Sequence, residues 1–232
     1  MGNIVDTDLT EQLHKSWRAN AAAWTTAVRE SAIQSRRAGT DAAILSAMLE
    51  HQPTCVLDLG CGEGWLARVL AAHGVEVVGV DASEPLIRAA KEAGGGDFHA
   101  LTYSQLLQME SEQLGGRFDA VVFNFALLEE SLDAALACAH RFAAENGVMM
   151  IQTVHPWTAR GELPYEDGWR TERFSSFGGE FREPMPWFFR TLQSWTDVIR
   201  GAGFQLKSLR EPVHPETGDP LSLIIVAKPR TH

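Results

Sequence analysis

The residues best placed to do chemistry lie in one short stretch, VLDLGCGEGW from Val56 to Trp65. An apolar run carries Asp58, glycines alternate at 60, 62 and 64, and a helical pattern follows. Glycines at a strand-to-helix turn let a ligand approach the backbone, and the helix start offers unpaired N–H groups. A dinucleotide site would want G-x-G-x-x-G, and its third glycine is replaced here by Trp65. A P-loop would need a Lys-Ser/Thr pair that is missing, so pyrophosphate is disfavoured. The second signal is VEVVGVD, which ends at Asp81, 21 residues after Gly60. An acid there can accept hydrogen bonds from both hydroxyls of a ribose. Together the two motifs suit a nucleoside without pyrophosphate, bound beside an acid that can pair with a cation. The plainer alternatives are a tight loop at the glycines and a helix cap at Asp81.

Such residues need a sheet to hold them. Residues 8–50 are Ala-rich and read as helices without a strand, with Thr40 as N-cap of DAAILSAMLE and Pro53 as its stop. From Pro53 onward, apolar runs alternate with helical segments: CVLDLG, VEVVGVD, a short run at 97–101, FDAVVFN and GVMMIQTV. Continuously apolar strands alternating with helices predict an α/β fold whose parallel sheet is covered on both faces. The alternation breaks between His155 and Arg190, an insertion without clear period that holds nearly half of the aromatic residues. Loops of that length usually serve as lids or binding segments. A helix, LQSWTDVIRGAG, and two strands, FQLKSLREP and LSLIIVAK, complete the chain.

Composition excludes several classes. The formal charge is −10, from 20 Lys and Arg against 30 Asp and Glu, which argues against a nucleic-acid partner held by a basic face. No apolar run approaches the roughly 20 residues of a membrane helix, so no membrane partner is expected. The start, MGNIVDTDLTEQ, lacks the apolar centre of a secretory signal. Cys55, Cys61 and Cys138 form no C-x-x-C pair, which points to a reducing compartment, taken as the cytoplasm. No histidine pair has metal-ligand spacing, and no metal is expected.

The sequence resembles the class I S-adenosylmethionine-dependent methyltransferases of the seven-strand Rossmann-like type. DLGCGEG looks like their first motif, VVGVDAS their ribose motif, FDAVVFNFALLEE their fourth, and GVMMIQTVHPW their fifth strand. The resemblance covers about Val56 to Thr153 and is specific for the cofactor, weak for the substrate. It implies a sheet of order 3-2-1-4-5-7-6 with strand seven antiparallel. It also implies helices on both sheet faces and a helical cover over residues 1–52, with the Rossmann-like domain over 53–232. The backbone of Gly60, Cys61 and Gly62 would pass the methionine portion, Asp58 would anchor that end, and Asp81 would grip the ribose. Ala82 would lie beside the adenine, Asn124 and Phe125 near the sulfonium. The acid often found after strand three is missing. Thr102 and Tyr103 stand there instead, and adenine contact is expected through their backbone and ring.

Helical cover residues admit two readings each. Trp24, seven residues after Trp17, could shield a sulfonium or simply pack against the sheet. Arg37 could clamp the cofactor carboxylate or stand in solvent. His155, at the carboxyl edge after strand five, could be a general base or could turn the chain out of the sheet with Pro156. The insertion should form a substrate wall from Trp157, Tyr165, Trp169 and Trp187, with Arg170 or Arg182 holding an acidic group, unless it is a satellite core or a dimer contact. N-P-P-[FY], expected for enzymes acting on adenine or glutamine amides, is replaced by Asn124-Phe125-Ala126-Leu127. The expected activity is therefore methyl transfer from S-adenosylmethionine to oxygen or nitrogen of a small metabolite, releasing S-adenosylhomocysteine. The expected protein is a monomer or homodimer. A non-catalytic cofactor-binding regulator and an NAD-dependent oxidoreductase are the rivals.

Overall fold

The computed structural model describes residues 3–175, 177 and 179–230, with side chains from residue 8; Met1, Gly2 and His232 lie outside the described residues. Helix α1 spans Asn3–Arg29, a π-helical turn Arg36–Thr40 follows, and α2 covers Asp41–Leu49. The alternating part then runs β1 (Cys55–Leu59), α3 (Trp65–Ala71), β2 (Glu76–Asp81), α4 (Glu84–Ala93), β3 (Asp97–Ala100), α5 (Tyr103–Leu106), β4 (Phe118–Asn124), α6 (Asp133–Phe142) and β5 (Ala143–Val154). After it come α7 (Pro156–Ala159), β6 (Gly168–Glu172), β7 (Met185–Phe189), α8 (Leu192–Gly201), β8 (Phe204–Arg210) and β9 (Ser222–Pro229).

Seven strands form one sheet in the order β3-β2-β1-β4-β5-β9-β8. With the insertion strands β6 and β7 set aside, this is the expected 3-2-1-4-5-7-6. Strands β1 to β5 pair in parallel, and β9 lies antiparallel between β5 and β8. Because side chains alternate across a strand, each strand feeds two cores. Leu57, Val121, Phe123, Ile151 and Ile225 pack with α6 and α8 on one face. Val56, Ala120, Val122, Met150 and Ile224 pack with α2, α3 and α4 on the other.

Two local expectations are corrected. Thr40 does not cap α2: its backbone is right-handed helical and it makes no cap hydrogen bond, and the break before the helix is a kink at Gly39, where φ is 157°. Its position is buried, and its carbonyl accepts from the Gln152 side chain at 3.0 Å, tying the turn to β5. The insertion is not structureless, since β6 and β7 pair as an antiparallel two-stranded sheet from Gly168↔Phe189 to Glu172↔Met185. Alternation is weak in these short strands, which pack mainly by aromatic contacts that no sequence period reveals.

Those contacts join the insertion to α1. Trp24 stacks on Trp17 at 5.0 Å and meets Phe174, Phe177 and Phe181 edge-on. Asn20 on α1 is fully buried, donating to the Glu183 carbonyl at 2.7 Å and accepting from the Arg182 N–H at 2.7 Å. One amide side chain thus satisfies the backbone of a segment far away in sequence, as a neighbouring strand would.

Candidate active site

The carboxyl edge of an open α/β sheet is where ligands bind, and the motif residues gather there. The turn after β1 is held by β2: the Gly60 and Cys61 N–H groups both donate to the Val80 carbonyl, at 2.7 and 3.1 Å. Gly60 sits at φ 78°, and a Cβ there would stand 2.4 Å from that of Ala126, so only glycine fits. At Gly62, with φ 58°, an added Cβ would meet nothing within 4 Å. The turn therefore approaches its neighbours closely at one glycine and faces open space at the next.

Asp81 organises this turn from the end of β2. One carboxylate oxygen accepts from the Gly62 N–H at 2.9 Å and the other from the Ser83 N–H at 2.8 Å. Each oxygen keeps a free lone pair, so two further hydroxyl donors can be accommodated. Ser83 begins α4 without a side-chain cap bond, and the carboxylate of Asp81 binds its N–H instead. The cap reading and the ribose reading of Asp81 are compatible.

Asp58 is 1% exposed, and its Oδ1 has no hydrogen-bond partner among the described residues. Burial, with a smaller contribution from Asp81, pushes its carboxyl up to about 7. A buried acid that nothing compensates is an expensive arrangement unless a cationic group completes it. The Asn124 side-chain oxygen, at the end of β4, is likewise buried and unpartnered. Phe125 follows in the left-handed region at φ 54°, a strained conformation typical of binding edges. Its N–H is pinned to the Gln152 carbonyl at 2.8 Å.

The remaining cofactor candidates divide. Tyr103 lies edge-on to Phe123, and its hydroxyl would stand 3.4 Å from a Cβ at Gly60, so it reaches the turn. Burial pushes its phenol well above the usual range, which keeps it protonated. Thr102 is exposed and caps α5 through a reciprocal pair with Gln105, while Ala82 is exposed beside Asp81. The Cys61 side chain turns into the core, so only its backbone faces the turn. Trp24 is a packing residue: its ring is engaged by Trp17 and three phenylalanines, in place of the sulfonium shield considered above. Arg37 is exposed; the neighbouring Arg36 has the fixed position, over the Trp65 ring at 4.3 Å and bound by both oxygens of Asp41.

His155 is engaged at both ring nitrogens. Its Nδ1 accepts the Trp157 N–H at 3.3 Å, which caps α7, and its Nε2 faces Glu211 at 2.8 Å. A ring with Nδ1 accepting must donate through Nε2, so no lone pair is left to take a proton from an acceptor. Turning the chain out of the sheet is what the geometry shows it doing.

The substrate candidates are also dispersed. Arg170 spends its guanidinium on the carbonyls of Ala159, Arg160 and Pro164 and lies over the Phe189 ring at 3.5 Å. Three of its five donors are thus held by backbone; Arg182 is exposed. Trp157 is 59% exposed beneath Arg160, and the Tyr165 hydroxyl accepts from the Leu192 N–H. Trp169 packs against Phe188. Trp187 alone of the six lines the cavity at the ends of β4 and β5, together with Leu127, Thr153 and Arg190.

Two features escape motif reading. Glu63, inside the glycine turn, is buried between Arg29 of α1 at 2.8 Å and Arg68 of α3 at 2.6 Å. This triad fastens α1 and α3 to the turn. An acid within a glycine loop, with arginines elsewhere in helices, was its only signal. Arg190 is the second: 4% exposed, at the end of β7.

The sequence matches the family described as "Methyltransferase domain" over residues 27–209. The chain belongs to that methyltransferase family. An uncharacterized methyltransferase of Schizosaccharomyces pombe is 28% identical over 175 residues, covering 69% of this chain and 62% of that protein. The ubiquinone biosynthesis O-methyltransferase of Pasteurella multocida is 26% identical over 170 residues, 68% of this chain and 56% of that protein. The methyltransferase chain thus matches little more than half the length of these relatives. Among solved structures, the DhpI–SAH complex has a TM-score of 0.62 at 20% identity, covering 97% of this chain and 98% of that one. At that identity the likeness concerns the fold, which the two chains share over nearly their whole length. No described helix of this methyltransferase is long and apolar enough to cross a membrane.

Proposed function

We propose that this chain transfers a methyl group from S-adenosylmethionine to an oxygen or nitrogen of a small organic acceptor by direct displacement, leaving S-adenosylhomocysteine. The observation that carries the reading is the pair of acids at the glycine turn: Asp58, buried without a partner, and Asp81, with one spare lone pair on each oxygen. They suit a ligand with an ammonium at one end and a ribose at the other. Gly60 and Gly62 would pass its methionine portion over their backbone, and Tyr103 and Ala82 would border its adenine. The unpartnered Asn124 oxygen would face the sulfonium region. S-adenosylmethionine supplies a methyl group on a positively charged sulfur, a leaving group that needs no acid catalyst.

The chain's contribution is then positioning and exclusion of water, which can lower a barrier by several kcal/mol. With His155 engaged and Tyr103 held protonated, the acceptor has to arrive with its lone pair free, as a carboxylate, a phenolate or a neutral amine. The Pasteurella multocida relative, named as an O-methyltransferase, supports oxygen. Titration calorimetry with S-adenosylhomocysteine and with NAD, followed by transfer of labelled methyl to carboxylic acids, phenols and amines, tests the proposal. Micromolar binding of the first compound and methylation of one class are expected. Binding of NAD alone, or tight cofactor binding with no transfer to any class, would refute it.

A further inference from the structure

Arg190 makes one hydrogen bond, from Nη2 to the Glu130 carbonyl, and its Nη1 is buried with no partner among the described residues. No carboxylate of the described residues lies within 4 Å of it. The guanidinium rests against the rings of Phe188 at 4.8 Å and Trp195 at 5.4 Å. Desolvation brings its pKa down to about 10, against the opposing pull of Asp167 and Glu130, so the group stays charged. Asp167 is otherwise engaged, accepting the Thr191 N–H at 2.8 Å. A buried cation with an unused donor is costly, and an anion is the partner that relieves the cost most.

The residue also lies in the right place. It lines the cavity between the ends of β4 and β5 with Leu127, Thr153, Trp187, Phe189 and Trp195. The cavity is about 10 Å³, enough for one water, so a larger ligand has to displace part of its lining. Apolar walls around one fixed cation recognise an acid carried on a flat or aliphatic body.

From this geometry we propose that Arg190 is a specificity-determining residue that binds an oxyanion of the methyl acceptor, a carboxylate or a phosphate ester, through its free Nη1. The inference rests on the methyl-transfer reading only for calling the ligand an acceptor; the oxyanion site itself is defined by Arg190 and its cavity. A neutral isostere leaves the donor unpaired and is discriminated against by about tenfold or more.

The test compares 3-phenylpropanoate, phenyl phosphate and the neutral 3-phenylpropanamide on the full chain. The Arg190 guanidinium resonance is followed by nitrogen-resolved NMR, with and without S-adenosylhomocysteine. The resonance should move with at least one of the two acids, with affinity about tenfold or more above that for the amide. Response to the propanoate alone identifies a carboxylate acceptor, and response to the phosphate alone a phosphate ester. In Arg190→Gln, checked for folding by circular dichroism, the preference for acid over amide should disappear. Equal affinity for acid and amide in the native chain, or an Arg190 resonance moved by neither acid, overturns the proposal without requiring any variant to fold. Failure to bind S-adenosylhomocysteine would instead count against the cofactor reading, because the acids are also titrated in its absence.

Discussion

Asp58 should make the protein less stable in the pH range where its ligand needs it charged. Its carboxyl is raised from 3.8 to about 7, chiefly by burial. The folded chain therefore holds this proton more tightly than the unfolded chain does. Stability from this group is complete below the unfolded pKa, is lost as pH climbs from about 4 to about 7, and stays lost above. At 1.36 kcal/mol per pKa unit the loss is about 4 kcal/mol, and relaxation of the site makes about 2–4 kcal/mol the expected range. Asp58→Asn removes the titration while keeping the shape. Urea unfolding of both proteins between about pH 5 and pH 8 should show the variant gaining about 1–3 kcal/mol relative to the native chain, the part of the loss that falls in that range. The same variant should bind S-adenosylhomocysteine about tenfold or more weakly at about pH 8, because a charged acceptor is lost. Native affinity should rise with pH up to about 7. Parallel pH profiles for the two proteins would refute the argument, since they would mean that Asp58 is already ionised or compensated in the free fold.

Asp81→Ala should weaken S-adenosylhomocysteine binding by roughly 10- to 100-fold in calorimetry, each hydrogen bond to a charged acceptor being worth about 1.5–3 kcal/mol; native affinity would discredit the ribose assignment. His155→Gln should lose about 1–2 kcal/mol of stability, through the α7 cap and the contact with Glu211, yet keep the shape of the pH dependence of kcat. Disappearance of an acid limb in that profile would restore His155 as a base. Glu63→Gln should cost about 1–3 kcal/mol by chemical denaturation, below the usual value for a fully buried pair because Arg29 and Arg68 are partly exposed. It should also speed proteolysis within α1, and an unchanged cleavage rate would show that the triad does not fasten the helix.

Sequence alone determined the sheet and the cofactor turn, because both depend on local patterns. Apolar runs at strand length, separated by helical periods, leave few ways to bury both faces of a sheet, whereas the strand order came from the family resemblance and not from the pattern. Asp58, Gly60, Gly62 and Asp81 were legible because a backbone turn and an acid at a strand end impose their residue types at short range. The roof was decided by tertiary structure. Trp24 lies far in sequence from Phe174 and Phe181, and Asn20 from Glu183, so no period or spacing announced those contacts. Five arginines occur between residues 155 and 190, and their types are identical in sequence. Burial separates them: Arg170 donates to three backbone carbonyls, while Arg190 has a buried Nη1 without a partner among the described residues. The partner of His155 was hidden for the same reason, since Glu211, which faces its Nε2, comes from the segment after β8 and reaches it only in the folded chain. Short-range sterics write themselves into sequence; the occupancy of a side chain's hydrogen bonds is settled only when distant segments meet.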